Sequence, residues 1–269
     1  MTTQSMLLQE PPASQYDLRF NAFGFPVRIA WTFWLGALVI GFDFVRGMDM
    51  AFGEESPGMG PLLILWTAAL FLSILIHELG HAFAFRHQGI HSSIVLYHFG
   101  GLATPVASMI PGRSIGRLTP KQDLWITFAG PLIQLAAAAV IMFGLKALGY
   151  EVAALKTLPA GLDVLSEYFP GERIENPALF AFTFFFVFPS IVWALLNLLP
   201  VWPLDGGHIM RSIVLLTGGD ESQSLWISVG AAGLLAAYAL THGQTFMGIF
   251  FAMFAVQSFQ MLQQRGGWR

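Results

Sequence analysis

The sequence predicts an α-helical polytopic membrane protein with about six transmembrane helices and a small β-sheet or edge strand at the cytoplasmic side. The first reason is composition: of 269 residues, 55% are hydrophobic and only 11% are charged, whereas a soluble domain carries about a quarter charged residues. Long apolar runs and an uneven distribution of Lys and Arg are the other two reasons. This composition excludes an ordinary soluble enzyme. The net charge of −3 gives no reason to expect a nucleic-acid partner, and the absence of Cys excludes disulfides and thiolate metal ligands.

Six apolar runs approach the roughly 20 residues that a helix needs to cross the hydrocarbon core. The last two are the shortest, and Thr241–Thr245 is the predicted hinge between them. We expect a polar N-terminal tail without a cleaved signal peptide at residues 1–16, a single membrane-embedded domain at residues 17–262 and a short C-terminal tail at residues 263–269. The predicted spans are about Val27–Val45, Leu62–Phe85, Leu124–Leu148, Ala178–Leu199, Leu225–Leu240 and Phe246–Leu262.

Lys and Arg are divided unequally between alternate connections of a six-span topology with the N-terminus inside. The inner side then holds nine of these residues and the outer side holds four. This bias predicts that both termini face the cytoplasm. We expect the membrane to be a bacterial or archaeal plasma membrane. The inner set is Arg19, Arg28, Arg86, Arg113, Arg117, Lys121, Arg211, Arg265 and Arg269, and the outer set is Arg46, Lys146, Lys156 and Arg173.

Two segments predict β-structure rather than spans. Asp17–Ile29 has short apolar pieces around one Gly and one Pro, a pattern that is typical of a strand pair. His91–Pro105 has a β-rich stretch followed by Gly100 and Gly101, which signal a turn or bulge. We expect these segments to form a small sheet on the inner face, with an interfacial loop as the alternative.

The second predicted span ends with the sequence HELGH, whose ionisable residues are His77, Glu78 and His81. Residues i and i+4 of a helix share a face, so two imidazoles at this spacing can bind one Zn²⁺, and Glu78 beside them can accept a proton from a water molecule. The alternative is a set of polar residues at a helix end. Ionisable groups inside a span are costly and rarely without function, so the metal site is the favoured interpretation.

A catalytic zinc site has three protein ligands and one open position. Apart from Glu78, the acids near membrane depth are Asp43 and Asp205, and Asp205 lies in the Pro- and Gly-rich segment 197–207, which is irregular or starts a new helix. The second and fourth spans both run from outside to inside, so HELGH and Asp205 meet at one depth, with the two imidazoles roughly 7–14 Å from the inner boundary. His208, on the same helical face as Asp205, is a rival ligand, and Asp43 is expected at the outer interface.

Ala129, Gly130 and Pro131 lie near the inner end of the third span, at the depth of the proposed metal site. Small residues allow helices to approach closely, and Pro frees a carbonyl group. A simple kink is the alternative, and we assign no chemistry to these residues.

Together these motifs resemble the site-2 protease family of zinc intramembrane metalloproteases. The matching pieces are HELGH, FGG at residues 99–101, AGPL at residues 129–132 and NLLPVWPLDGG at residues 197–207, and they cover most of the chain, from about Phe20 to about Val214. HExxH alone is modestly specific, but HExxH followed by a membrane-embedded LDG is highly specific.

The resemblance implies that His77, His81 and Asp205 bind one catalytic zinc ion. It implies that Glu78 is the general acid/base. It also implies an edge strand, for which Ile94–His98 is the candidate, that offers its backbone to an unwound substrate; the side chain of His98 is a further candidate donor to a substrate carbonyl. The implied substrate-binding residues are Asn197, Ile94, Val95, Leu96, Tyr97, His98, Gly100 and Gly101.

Two positions depart from the family pattern. Gln134 stands where many members have Asn after AGP, and Trp202 stands where Pro is frequent before PLDG. Neither is expected to touch the ligand set, so both departures bear on substrate contacts rather than on activity. The outer loop is too short for a PDZ module, and only seven residues follow Leu262. We therefore expect a minimal member without PDZ or CBS modules.

The function implied by the resemblance is hydrolysis of peptide bonds within or near the transmembrane segment of single-pass membrane proteins, with the lipid bilayer as the second partner. One alternative is a membrane metal transporter, which would need the ligands but not Glu78 and would favour polar residues spread along several spans. The other is a proteolytically silent protein that binds transmembrane helices, which would have no need of Glu78. The clustering of polar residues at one depth favours the protease.

Overall fold

A computed structural model describes residues 11–98, 100–106, 118–159 and 161–266 of the chain. In these ranges it has seven α-helices and one four-stranded sheet, which confirms the predicted fold class. The helices are α1 Trp31–Phe52, α2 Met59–His87, α3 Pro120–Ala147, α4 Pro177–Asn197, α5 Asp205–Leu216, α6 Glu221–Thr241 and α7 Thr245–Gly266, and the strands are β1 Leu18–Ala22, β2 Phe25–Ile29, β3 Ser92–Tyr97 and β4 Gly100–Pro105. Phe99 of the FGG piece and the cations Arg113, Arg117 and Arg269 lie outside the described residues.

Five helices of the described chain, α2, α3, α4, α6 and α7, are long and apolar enough to cross a membrane. The protein is therefore an integral membrane protein. The first predicted span corresponds to α1, a helix of 22 residues that includes Asp43, Arg46 and Asp49 and is not among the five. Its predicted first residues, Val27–Ile29, belong to β2 instead, where alternate side chains are buried. These residues also belong to the segment Asp17–Ile29 for which the sequence predicted a strand pair, and the structure has that pair as β1 and β2.

Side-chain caps explain where several helices begin. The Thr119 side chain accepts a hydrogen bond from the backbone N–H of Gln122, the Gln122 side chain accepts one from the backbone N–H of Thr119, and Pro120 occupies the first turn of α3. The side chain of Asn176 accepts a hydrogen bond from the first turn of α4, and that of Asp220 accepts two from the first turn of α6. Since these caps satisfy orphan N–H groups, each helix has a defined start.

The sheet has the order β1-β2-β3-β4, with antiparallel pairs at both ends and a parallel pair between β2 and β3. Residues Ile94–Leu96 of β3 face Val27–Ile29 on one side and Gly101–Ala103 on the other. The prediction that Ile94–His98 forms an edge strand is therefore wrong, because both sides of β3 already have a strand partner. Among the described residues, β4 is the edge strand next to α2.

The β1–β2 hairpin is fixed to the start of α1 and to the end of α2. The Asp17 carboxylate accepts hydrogen bonds from the backbone of Ser14 at 2.9 Å, from Arg28 at 2.8 Å and from the backbone of Trp31 at 3.3 Å. The Ser14 amide, together with Arg28 and the Trp31 amide, holds the pKa of Asp17 below its usual range. Arg86 of α2 donates to the carbonyl oxygen of Phe23 in the hairpin turn at 2.9 Å.

Helix α2 is central to the bundle and packs against α1, α3, α4 and the two strands β3 and β4. Aromatic and aliphatic side chains of α1, α2 and α4 form the largest hydrophobic cluster. A second cluster joins α6 and α7, which pack closely against each other. Because α2 is enclosed on several sides, polar groups near its C-terminal end lie inside protein rather than in lipid.

Candidate metal centre

Helix α2 places three ionisable side chains in the interior of the bundle. His77, Glu78 and His81 are 3%, 4% and 8% exposed. One ligand atom from each lies within 4.8 Å of the others, so among the described residues these three form a group that could hold a metal ion. The two histidines are brought together by the i, i+4 spacing of the helix, as the sequence predicted.

Asp205 joins this group from a different part of the chain. It is the first residue of α5, a short helix that begins after the Pro-rich connection from α4. Its Oδ2 atom lies 3.0 Å from His77 Nε2 and 3.4 Å from His81 Nε2. The predicted meeting of HELGH and Asp205 is therefore a feature of the structure.

The position of Asp205 depends on how α5 is held. Arg211 of α5 pairs with Asp123 of α3 at 3.2 Å, and Ser212 donates to the same carboxylate oxygen at 2.9 Å. Arg211 also pairs with Glu221, in the first turn of α6. These charge-assisted bonds connect α5 to two membrane-spanning helices, so they fix the helix whose first residue enters the metal centre.

The proton arrangement at His81 leaves a lone pair directed at Asp205. Its Nδ1 lies 2.8 Å from the backbone carbonyl oxygen of Ile126, which can only accept a hydrogen bond, so Nδ1 carries the proton. In the neutral ring Nε2 is then unprotonated, and it faces His77 Nε2 at 3.1 Å. Within the described chain, the buried Asp205 Oδ2 accepts no hydrogen bond. His77 Nε2, His81 Nε2 and Asp205 Oδ2 are therefore close enough together that a cation between them would stabilise the arrangement.

The separations of these atoms fit an ion of the size of zinc. With Zn–N and Zn–O bonds of about 2.0–2.2 Å in tetrahedral geometry, neighbouring ligand atoms lie roughly 3.3–3.5 Å apart. The observed separations are 3.0, 3.1 and 3.4 Å. The donor set of two imidazoles and one carboxylate is also one that zinc accepts.

Gly130 of α3 contacts the ring of His81. A Cβ atom at position 130 would overlap the imidazole, and Gly80 of α2 approaches the backbone of Ala129 and Gly130 equally closely. Helix α3 continues through Pro131 without ending. The AGP motif, to which the sequence assigned no chemistry, is thus the place where α2 and α3 come close enough to enclose a proposed ligand.

Gln134 was missed as a residue of this centre. The prediction that it does not touch the ligand set is wrong, because its Oε1 atom lies 2.9 Å from His77 Nδ1. A usable signal was present in the sequence: Gln134 follows Gly130 by one helical turn, and an amide inside an apolar span is costly unless it is hydrogen-bonded. The carbonyl of Ile126 was also missed, since no sequence pattern identifies a backbone acceptor.

Glu78 lies against the edge strand β4. A Cβ atom at Gly101 would come 2.5 Å from Glu78 Oε1, so only glycine allows the strand to approach this closely. The backbone amide of Ala103, on the same side of β4, interacts with the same carboxylate. Of the predicted substrate-binding residues, Gly100 and Gly101 therefore lie on the strand that borders Glu78, whereas Ile94–Tyr97 form the inner strand β3.

Two other predicted substrate-binding side chains make contacts of their own. Asn197 is the last residue of α4, and its Nδ2 donates to the backbone carbonyl of Trp193 at 3.0 Å. His98 lies in the turn after β3, with Nδ1 3.2 Å from the hydroxyl of Thr32 in α1.

The rival ligand His208 and the departure Trp202 contact each other. The two ring centroids are 4.1 Å apart, in a tilted stack. The backbone N–H of Trp202 donates to the Ser228 hydroxyl at 2.7 Å. Asp43 is exposed on α1. His208 thus packs beside the connection to α5, whereas Asp205 faces the two histidines of α2.

Comparison with known proteins identifies the family. The model of peptidase family M50 matches residues 65–237, and the chain belongs to that family. The sll0528 protein of Synechocystis sp., which is named as a zinc metalloprotease, is 32% identical over 213 residues, or 77% of this chain and 46% of that protein. A Mycobacterium tuberculosis protein with the same kind of name is 28% identical over 224 residues, or 81% of this chain and 48% of that protein.

The chain spans about half the length of the curated relatives it matches. The solved structure of a site-2 protease from Methanocaldococcus jannaschii aligns with 93% of this chain and 94% of that one, with a TM-score of 0.47 and 23% identity. The predicted resemblance is confirmed by the family match, and the predicted zinc cofactor agrees with the names of the relatives.

Proposed function

We propose that the protein is a zinc-dependent intramembrane endopeptidase that hydrolyses peptide bonds within or near the transmembrane segment of single-pass membrane proteins. One observation carries the proposal: the buried group His77, Glu78 and His81 of a membrane-spanning helix meets Asp205 of α5 at distances that suit a metal ion. The family membership supports the same class of reaction.

In the proposed mechanism, His77, His81 and Asp205 would hold the ion. When bound, zinc would supply Lewis acidity toward the scissile carbonyl and the attacking water. Glu78 accepts the proton of the attacking water and later donates it to the nitrogen of the leaving amine. Its burial excludes bulk water, so the proton passes between the reacting groups rather than to solvent.

A substrate helix satisfies all its backbone groups internally, so its carbonyls are not available for attack until it unwinds. An unwound segment can add to the edge of a sheet through main-chain hydrogen bonds. We propose β4 for this role in place of β3, because β4 has a strand partner on one side only among the described residues and borders Glu78 at Gly101. Substrate residues that weaken helices should favour cleavage.

The metal centre is expected near the cytoplasmic face of the plasma membrane. Arg86 marks the inner end of α2, and the hairpin that it binds is part of the sheet beside the centre. We propose that water reaches Glu78 from this side. Both termini would then face the cytoplasm, in accordance with the distribution of Lys and Arg.

The test is a cleavage assay with purified protein and candidate single-pass substrates, comparing wild type, Glu78→Gln and wild type with a zinc chelator. Glu78→Gln removes the base but keeps the ligands, so we expect zinc content to be unchanged and cleavage to fall at least about 100-fold. His77→Ala and Asp205→Ala should lose both zinc and cleavage. Glu55→Gln, which alters an exposed acid in the short 3-10 turn after α1, is the control.

Full cleavage by Glu78→Gln would contradict the mechanism. Zinc flux into liposomes that survives Glu78→Gln would favour a transporter instead. Substrate capture by zinc-loaded wild type without any cleavage would favour a silent helix-binding protein.

A further inference from the structure

Gln134 is a fully buried amide in the largely apolar interior face of α3. Its Oε1 lies 2.9 Å from His77 Nδ1. Its Nε2 lies 2.8 Å from the hydroxyl of Ser73 and 3.4 Å from the backbone carbonyl of the same residue. The Ser73 hydroxyl continues the chain to Ser190 of α4 at 2.8 Å. Three membrane-spanning helices are therefore linked by one hydrogen-bonded chain that ends at a proposed zinc ligand.

The orientation of the Gln134 amide follows from its partners. The carbonyl oxygen of Ser73 can only accept, so the NH₂ group of the amide faces Ser73. The oxygen Oε1 must then face His77, and Nδ1 of that ring must carry the proton. In the neutral ring Nε2 is left with its lone pair, and this is the atom that lies 3.0 Å from Asp205 Oδ2. These hydrogen bonds from Ser73 through Gln134 thus select one of the two tautomers of His77.

We infer that Gln134, anchored by Ser73, is a positioning residue that holds His77 in the tautomer and ring orientation needed to bind the metal ion. A ligating histidine usually donates its other N–H to an acceptor, and removal of that acceptor typically costs 10- to 100-fold in metal affinity. The inference rests on the proposed zinc site but assigns to it a residue of α3, whereas the ligands come from α2 and α5.

The competing explanation is that Gln134 only joins helices, since amides and hydroxyls between spans contribute to packing. The two explanations predict opposite rankings of two substitutions. Gln134→Glu keeps an acceptor for His77 but adds a charge, whereas Gln134→Leu keeps the volume but removes the acceptor. A packing residue tolerates Leu better than Glu, and an acceptor for a ligand tolerates Glu better than Leu.

The test measures zinc affinity of the purified full chain by competition with a chromophoric chelator. We expect Gln134→Leu to bind zinc about 10- to 100-fold more weakly and Gln134→Glu to remain within about threefold of wild type. Ser73→Ala, which removes one anchor of the amide, should fall between them. Ser258→Ala is its matched control, because it deletes an equally buried hydroxyl from a serine pair at 2.8 Å on α6 and α7.

A second readout is the absorption spectrum of the Co²⁺-loaded protein, which reports the ligand field and should change in Gln134→Leu but not in Ser258→Ala. Zinc affinity of Gln134→Leu equal to wild type would overturn the inference, and so would a Gln134→Glu protein that binds zinc more weakly than Gln134→Leu. If either Gln134 variant does not fold, Ser73→Ala decides, and wild-type affinity in that variant overturns the inference. Absence of zinc from wild type would instead overturn the proposed metal centre.

Discussion

At the scale of single residues, the metal centre depends on two glycines as much as on the residues proposed to bind the ion. Gly130 lies against the ring of His81, and Gly101 lies against the carboxylate of Glu78. Gly130 allows the backbone of α3 to approach His81, and Gly101 allows the backbone of β4 to approach Glu78. The interior is packed as densely as a crystal, so even one methyl group at such a point must displace its neighbours.

Gly130→Ala should therefore weaken zinc binding about fivefold or more, because overpacking of about 1–3 kcal/mol falls on the His81 ring. Gly144→Ala is a matched control on the same helix, since a Cβ atom there meets nothing within 4 Å. Alanine at this second position should leave zinc affinity unchanged and raise the melting temperature slightly, as expected from helix propensity. Zinc titration and thermal unfolding in detergent measure the two effects, and equal zinc affinities for both variants would contradict the packing argument.

At the scale of elements, the important correction concerns β3 and β4. A buried apolar run such as Ile94–Tyr97 is typical of a strand with neighbours on both sides, and the structure places it between β2 and β4. The small residues of β4 form the edge beside Glu78. The strand that is proposed to receive the substrate backbone is therefore β4 rather than β3.

Disulfide cross-linking can locate this edge, because the chain has no Cys of its own. We expect Thr104→Cys in β4 to cross-link to cysteines placed near the scissile bond of a substrate, in a Glu78→Gln background that prevents cleavage. Asn21→Cys in β1, an exposed position at the opposite edge of the sheet, should not cross-link. Equal yields from both positions, measured on non-reducing gels, would argue against docking at β4.

At the scale of the whole molecule, the number of membrane crossings depends on whether α1 crosses the membrane. Five other helices of the described chain meet the requirements of a span, whereas α1 carries three charged residues in 22. We expect α1 to cross the membrane, because crossing would put Arg19 and Arg28 on the inner side and Arg46 on the outer side, as the bias of the remaining cations favours. An even number of spans then returns both termini to the cytoplasm.

Single-cysteine labelling tests this topology with a membrane-impermeant maleimide on intact cells. Cysteines at the exposed positions Glu54 and Lys156 should react in intact cells, and those at Gln15 and Gln263 should react only after permeabilisation. Reaction of the Gln15 and Glu54 variants from the same side would show that α1 does not cross.

Much of the candidate site could be predicted because its ligands follow local rules. The i, i+4 spacing of His77 and His81 and the Pro- and Gly-rich segment before Asp205 are properties of short stretches of chain. Gln134 and Gly130 were harder to interpret, because their partners lie on α2. Contacts between helices depend on which faces meet, and a single sequence does not specify that pairing.

The sequence by itself determined the membrane environment, the extent of most helices and the existence of a small sheet, since each follows from composition, periodicity or residue type along the chain. Its motifs also carry the family resemblance that implies the three zinc ligands. Only the tertiary structure decided that β3 is an inner strand, that α3 encloses His81 at Gly130, and that Gln134 and Ser73 meet His77. These features arise where distant segments are packed together, and their geometry is set by the shapes of both partners rather than by either segment alone.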